Sequence, residues 1–172
     1  MLLAALAALA LGANLGPAVG TPIPDADRFE EAMGPEGATI VFVRSVDWCP
    51  FCKKQVVELG EAAASFELEG RPLIFVSYDS EKKQAAFAKK NDLDEAFVAD
   101  EGSAIIKAFG ILNEEHEPGS RVYGIPHPAV FVVDENGVVE AKLYEEDWAT
   151  NRKSYRNRPA VEAILGAVKA AD

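Results

Sequence analysis

The sequence is poor in the residues that staple, ligate and bind nucleic acid. Of its 172 residues only two are cysteine and two are histidine. So few cysteines exclude a disulfide-stapled scaffold. A tetrahedral zinc site needs four ligands, and His116 and His127 lack the usual short spacing, so neither a metal nor another cofactor is expected. Basic residues are scarce too, 17 Lys+Arg against 28 Asp+Glu, for a formal net charge of −11. That balance excludes the cationic footprint of a nucleic-acid-binding protein. One local exception, RKSYRNR at 152–158, reads as a solvated basic turn, with a docking patch for an acidic partner as the alternative. Repeats and low-complexity tracts are absent after residue 20. What remains is an ordinary globular balance, 49% apolar and 26% charged, in a chain long enough for one domain with a genuine core.

Charge is wholly missing from residues 1–20, MLLAALAALALGANLGPAVG. A short apolar core followed by small residues has the layout of a secretory signal, although no Lys or Arg follows Met1. The run is short for a membrane span. Residues 1–20 are therefore expected to be a signal peptide or apolar anchor, and 21–172 a single domain. Export to the periplasm or beyond is the expected location, with a membrane-anchored or cytoplasmic protein as alternatives.

The remainder alternates in type. DADRFEEAM (25–33) reads as a short amphipathic helix, and ATIVFVRS (38–45) as a strand buried on both faces. A helix is expected from Cys49 to about Glu69, a second buried strand at 73–79, and a Ser-capped helix at 80–91. A short strand near 96–100, a helix at 102–110 and a long loop at 111–128 follow. AVFVVDENGVVEAKLY (129–144) is a β-hairpin about its ENG turn. A last helix covers about 159–170. Strand–helix alternation builds parallel pairing and the hairpin an antiparallel edge, giving a mixed α/β sandwich.

Both cysteines lie in SVDWCPFCKK (45–54). With Cys49 as N-cap, Pro50 takes N1, where a missing N–H costs nothing, and Cys52 takes N3. The positive end of the helix favours a thiolate at the cap, and Lys53 and Lys54 add cationic potential. The i, i+3 spacing brings the sulfurs within bonding range. Cys49 is therefore expected as an exposed attacking thiolate and Cys52 as a sheltered resolving thiol. A structural staple is the lesser reading, because so short a loop stabilises least.

WCPFC (48–52) after a buried strand, with GIPHPAVFVVDENG (124–137) later, resembles the thioredoxin-like superfamily and within it the redoxin, alkyl hydroperoxide reductase/thiol-specific antioxidant branch. The resemblance covers residues 35–172 and implies a thioredoxin-like three-layer sandwich. It also implies a cis-proline facing the dithiol, best matched by Pro128 with Pro126 as the alternative, which would hold a substrate chain against the sulfur. His127 would then lie near Cys49 as a pKa-tuning or proton-relaying residue, and Trp48 would be a flat apolar platform flanking the site. The substrate-binding set so implied is Trp48, Pro50, His127 and Pro128. Two departures stand out. The buried aspartate that thioredoxins carry six residues before the first cysteine is Val43 here, with Asp47 nearer and more exposed. The peroxiredoxin pattern P-x-x-x-T-x-x-C falls with its cysteine on Cys52 and its threonine on Cys49, and Arg44 or Arg121 would have to supply the family arginine. The leading expectation is a thiol–disulfide oxidoreductase in which Cys49 attacks a protein disulfide and an unidentified thiol reductant regenerates the site. A peroxiredoxin-like peroxidase acting on hydroperoxides and a non-enzymatic redox sensor are the alternatives.

Overall fold

The structure, a computed structural model, describes residues 14–171. Three apolar runs set its centre: β1 (Ala38–Phe42), β2 (Leu73–Ser77) and β4 (Ala129–Val133) are buried along their whole length. β3 (Ala96–Ala99) and β5 (Val139–Tyr144) are mostly half-buried edges. The order across the sheet is β3-β2-β1-β4-β5. β1 runs parallel to β2 and β2 to β3, whereas β4 is antiparallel to both β1 and β5. This is the mixed sheet with a C-terminal hairpin that the alternation of elements implies.

Successive side chains of each central strand feed opposite cores. Val41 and Val43 join one, with Val56 and Leu59 of α1 (Pro50–Glu61), Phe66 of α2 (Ala63–Leu68) and Ile164 and Val168 of α5 (Val161–Ala170). Phe87 of α3 (Glu81–Lys90) packs at the margin of that layer. Ile40 and Phe42 join the other core, beside Ile105 and Ile106 of α4 (Ala104–Ala108) and an aromatic group in which Phe109 stands 4.7 Å from Phe42 and 5.4 Å from Phe131. Each fully buried side chain of this size contributes about 1.5–3 kcal/mol. The three layers follow directly, and both cysteines sit in the core under α1 and α5.

The structure departs from the sequence reading in three places. The helix expected over 49–69 is broken at Ala62, whose ψ of 2° ends α1 and starts α2. The segment 25–33 forms two 3₁₀ turns, Ala26–Arg28 and Glu30–Ala32, rather than one helix. Asp25 enters in the left-handed region (φ 53°), and wholly buried Phe29 interrupts with φ −113°. The loop 111–128 is tied at its ends: the Asn113 amide donates to the Ile125 carbonyl (2.9 Å) and the His127 amide to that of Ile111 (2.7 Å). No peptide bond among the described residues is cis, so neither Pro128 nor Pro126 supplies the expected cis-proline. The tied ends are satisfied by a trans chain, which is the lower-energy isomer even before proline.

Of the apolar leader, residues 1–13 lie outside the described residues. Residues 14–20 belong to the fold. Leu15 is 1% exposed in the aromatic core, the Gly20 amide donates to the Val139 carbonyl (2.8 Å), and the Lys142 ammonium donates to the carbonyls of Leu15 (3.0 Å) and Pro17 (2.9 Å). Gly16 has φ +70° and lies so close to Phe131 that a Cβ would fall 2.5 Å from its ring. No helix among the described residues is long and apolar enough to cross a membrane.

Candidate active site

Beyond β1 the chain passes through Val43 to Trp48 and turns into α1. Cys49 is the N-cap, extended at φ −86° and ψ 109°, with Pro50 at N1. Its sulfur accepts the Cys52 amide at 3.4 Å, so the side chain satisfies one of the amides a helix start leaves unpaired. The cysteines are free thiols.

Their exposure corrects one expectation. Cys49 is 1% exposed and Cys52 0%, so the pair holds no open attacker beside a covered resolver. Val43, Val46 and Val56 pack in the same core, and residues 154–158 lie over the pair from outside. The Tyr155 ring meets Phe51 edge-on with centroids 6.0 Å apart. Arg44, 7% exposed, holds its guanidinium 3.9 Å from the Tyr155 ring centroid and 5.3 Å from that of Trp48. Arg158 donates from its guanidinium to the Cys52 sulfur at 3.5 Å and braces itself on the main-chain carbonyls of Asn157 (2.8 Å) and Tyr155.

These contacts move the acidity one helical turn from where the sequence puts it. Burial pushes the Cys52 thiol up from its ordinary 9.0. The hydrogen bond from the Cys49 thiol, the Arg158 charge, the Ser45 main-chain amide and the Arg158 N–H together outweigh burial and bring it down to about 6. Cys49 is driven the other way, by its hydrogen bond to Cys52, by burial and by the Cys52 charge. Capping alone favours a thiolate at Cys49, whereas the nearby cation and the donors to the other sulfur favour one at Cys52.

The other expected site residues divide into two groups. Trp48 flanks the cysteines, half-buried, its indole N–H donating to the Tyr78 hydroxyl at 2.9 Å. Pro50 is exposed at the start of α1. His127 belongs to a second site: its ring packs on Trp148 with centroids 4.6 Å apart, and it lines a groove of about 590 Å³ with Leu112, Glu115 and Lys107. Burial lowers His127 to about 4, with Glu115 opposing and Arg44 and His116 assisting. Pro128 follows it, half-buried, at the start of β4. Val43 is an apolar wall, and Asp47 pairs with Lys83 at 2.8 Å, a hydrogen bond that holds its carboxyl below the usual range and weakens it as a base.

Arg44 and Arg121 were the sequence candidates for a cation at the sulfur. Arg44 lies instead between two aromatic rings, and the Arg121 carbonyl accepts the Tyr78 hydroxyl at 3.5 Å. The cation is Arg158, which sequence reasoning passed over inside a solvated basic run. Its partner lies 106 residues away, and the two meet where the segment before α5 folds back over the start of α1. Among the described residues no group of three or more His, Cys, Asp or Glu is placed to hold a metal ion.

A dithiol at the start of the helix after the central parallel strand, under a mixed five-stranded sheet, defines a thioredoxin-like redoxin. The solved structure of a peroxiredoxin Q from Xylella fastidiosa superimposes with a TM-score of 0.70 at 17% identity, over 92% of this chain and 98% of that one. The AhpC/TSA family profile matches residues 27–142, and the chain belongs to that family. It is 30% identical over 101 residues to the chloroplastic peroxiredoxin Q of Sedum lineare, covering 59% of this chain and 51% of the relative. It is 24% identical over 131 residues to the peroxiredoxin Bcp of Xanthomonas campestris pv. campestris, covering 76% of each. The chain thus spans about half the length of the chloroplastic relatives it matches. Arg158 lies beyond the family-matched stretch.

Proposed function

We propose that the protein is a peroxiredoxin-type peroxidase in which Cys52 attacks and Cys49 resolves. The observation that carries this reading is the Arg158 guanidinium 3.5 Å from a wholly buried sulfur whose thiol is lowered to about 6. Family membership and the peroxiredoxin Q and Bcp relatives support it.

The Cys52 thiolate attacks the terminal oxygen of a hydroperoxide. The O–O bond breaks, the alkoxide or hydroxide leaves and takes up a proton, and Cys52 becomes a sulfenic acid. Arg158 balances the charge that moves from sulfur to the leaving oxygen. Cys49, one turn away, then attacks the sulfenic sulfur and expels water, forming the Cys49–Cys52 disulfide. Two equivalents of an external thiol restore the dithiol. Burial of both sulfurs suits a small peroxide better than a protein disulfide. The His127 amide, which in the expected arrangement would pair with a substrate chain, is already taken by the Ile111 carbonyl.

The test is peroxide consumption and insulin reduction measured side by side on the full chain with dithiothreitol. Rapid loss of peroxide with little insulin reduction is expected. Cys52→Ser should abolish peroxide consumption, while Cys49→Ser, pre-reduced and then freed of dithiothreitol, should turn over once and leave a dimedone-reactive sulfenic acid on Cys52. Insulin reduction that depends on Cys49, with peroxide untouched, would return the protein to the disulfide-reductase reading.

A further inference from the structure

A groove of about 800 Å³ runs between α1 and the start of α5, past Phe51, Leu59, Ala62 and Val161. Gln55 and Arg158 line it too, and Arg158 carries its wall to the dithiol by donating to the Cys52 sulfur at 3.5 Å. Gln55 is 5% exposed and stands one turn after Cys52, so the two share a face of the helix. Its Oε1 has no hydrogen-bond partner, and neither has the Arg158 Nε–H. A buried polar atom left unpaired forfeits its water contacts with nothing in return. One of these two atoms accepts and the other donates. Lining one groove beside a reactive sulfur, they mark a place for a small molecule that does both.

Neither group is free to turn elsewhere. The terminal nitrogens of Arg158 are committed, one to the main-chain carbonyls of Tyr155 and Asn157 and the other to the Cys52 sulfur. The planar guanidinium then sets the direction of its remaining N–H. Gln55 is anchored in a stretch of α1 whose Val56 and Leu59 are wholly buried.

A hydroperoxide carries the matching pair, because its terminal O–H donates and its second oxygen accepts. We infer that Gln55 is a catalytic residue, accepting the hydroperoxide O–H while the Arg158 Nε–H donates to the oxygen that leaves. This deepens the peroxidase reading and rests on Cys52 being the attacking thiolate. In the step, the Cys52 sulfur bonds to the terminal oxygen and the O–O bond breaks. The hydrogen held by Gln55 stays on that oxygen and becomes the sulfenic O–H. The O–O electron pair departs on the second oxygen, which Arg158 steadies until water protonates it.

The experiment compares two reagents on the full chain carrying Cys49→Ser, pre-reduced and then freed of reductant, so that Cys52 is its one cysteine. Hydrogen peroxide has an O–H to donate, whereas methyl methanethiosulfonate reacts with the same thiolate and has none. Both rates are read as loss of the Cys52 thiol by quenched flow and mass spectrometry. Gln55→Met keeps the length and removes the acceptor. It should slow peroxide about tenfold, the worth of one hydrogen bond, and leave the thiosulfonate rate within about twofold. Gln55→Glu keeps an acceptor and adds a charge, so it should slow both reagents together and preserve their ratio. A ratio lost there as well counts against the inference. An unchanged peroxide rate in Gln55→Met overturns it and leaves the unpaired oxygen to an ordered water only. Equal slowing of both reagents in Gln55→Met overturns it too, since Gln55 would then act on the thiol and not on the substrate. Should Gln55→Met not fold, Gln55→Leu decides on the same criterion. With Gln55 intact, a Cys52 that reacts with peroxide no faster than free cysteine would instead sink the peroxidase reading, a distinct result obtained before Gln55 is changed.

Discussion

Cys52 and His127 are both buried, and burial pushes each toward its neutral form, yet they end in opposite states. Around Cys52 the protein has gathered a guanidinium and a second thiol, which hold its thiol below the ordinary range in spite of burial. Around His127 it offers an indole face and a more distant carboxylate, and the imidazole stays neutral down to about pH 4. Desolvation alone predicts neither chemistry. The donors aimed at the buried atom separate a reactive centre from a packed ring.

The largest expected effect comes from taking the cation away. Arg158→Met should return the Cys52 thiol toward its ordinary range, and a rise of two units would cut the thiolate fraction, and so the peroxide rate near pH 6, by about 50-fold. Arg158→Lys should recover part of the loss, since it keeps the charge without the planar fork. Stopped-flow peroxide consumption as a function of pH measures both.

The histidine half of the contrast is tested through stability. The folded protein resists protonating His127 until about pH 4, whereas the unfolded chain takes the proton near 6.5. Stability is therefore complete above 6.5 and falls as the pH drops toward 4, by roughly 2 kcal/mol between pH 7 and pH 5. His127→Gln should flatten that slope in urea titrations at the two pH values. A third test sharpens access rather than charge. Tyr155→Ala removes the ring that touches Phe51 and Arg44, and it should speed alkylation of Cys52 a few-fold at a pH where the thiolate is already saturated. An unchanged rate there would mean that residues 154–158 do not limit access.

How much of this was legible in the sequence follows from the range of the interactions. The central strands announced themselves because continuous apolar runs have only one stable place, a sheet covered on both faces. Cys49 as N-cap with Pro50 behind it was legible for a similar reason, since capping is settled within four residues. Arg158 at the dithiol was not legible, because it stands 106 residues from Cys52 and leaves no local signal beside the cysteines. The missing cis-proline has the same origin. The resemblance implied it, but the pairing of 111–113 with 125–127 holds that part of the chain in trans. The break at Ala62 carries no proline, and its neighbour Gly60 sits where a Cβ would meet Leu93 at 2.4 Å, a tertiary approach that periodicity does not encode.

The seven residues from Asn14 to Gly20 have two claims on them. Their small side chains look like the place for a leader to be cut, yet Leu15 fills space beside Phe131, and two carbonyls of the same stretch hold the Lys142 ammonium. A protease cutting after Gly20 would strip a leucine from the interior, a loss of about 2–5 kcal/mol by analogy with leucine truncations. It would also remove both carbonyls that accept from the Lys142 ammonium, leaving it only the Tyr144 ring at 5.7 Å. Cutting at that bond would cost the hairpin edge these contacts, whereas cutting upstream of Leu15 would leave them in place.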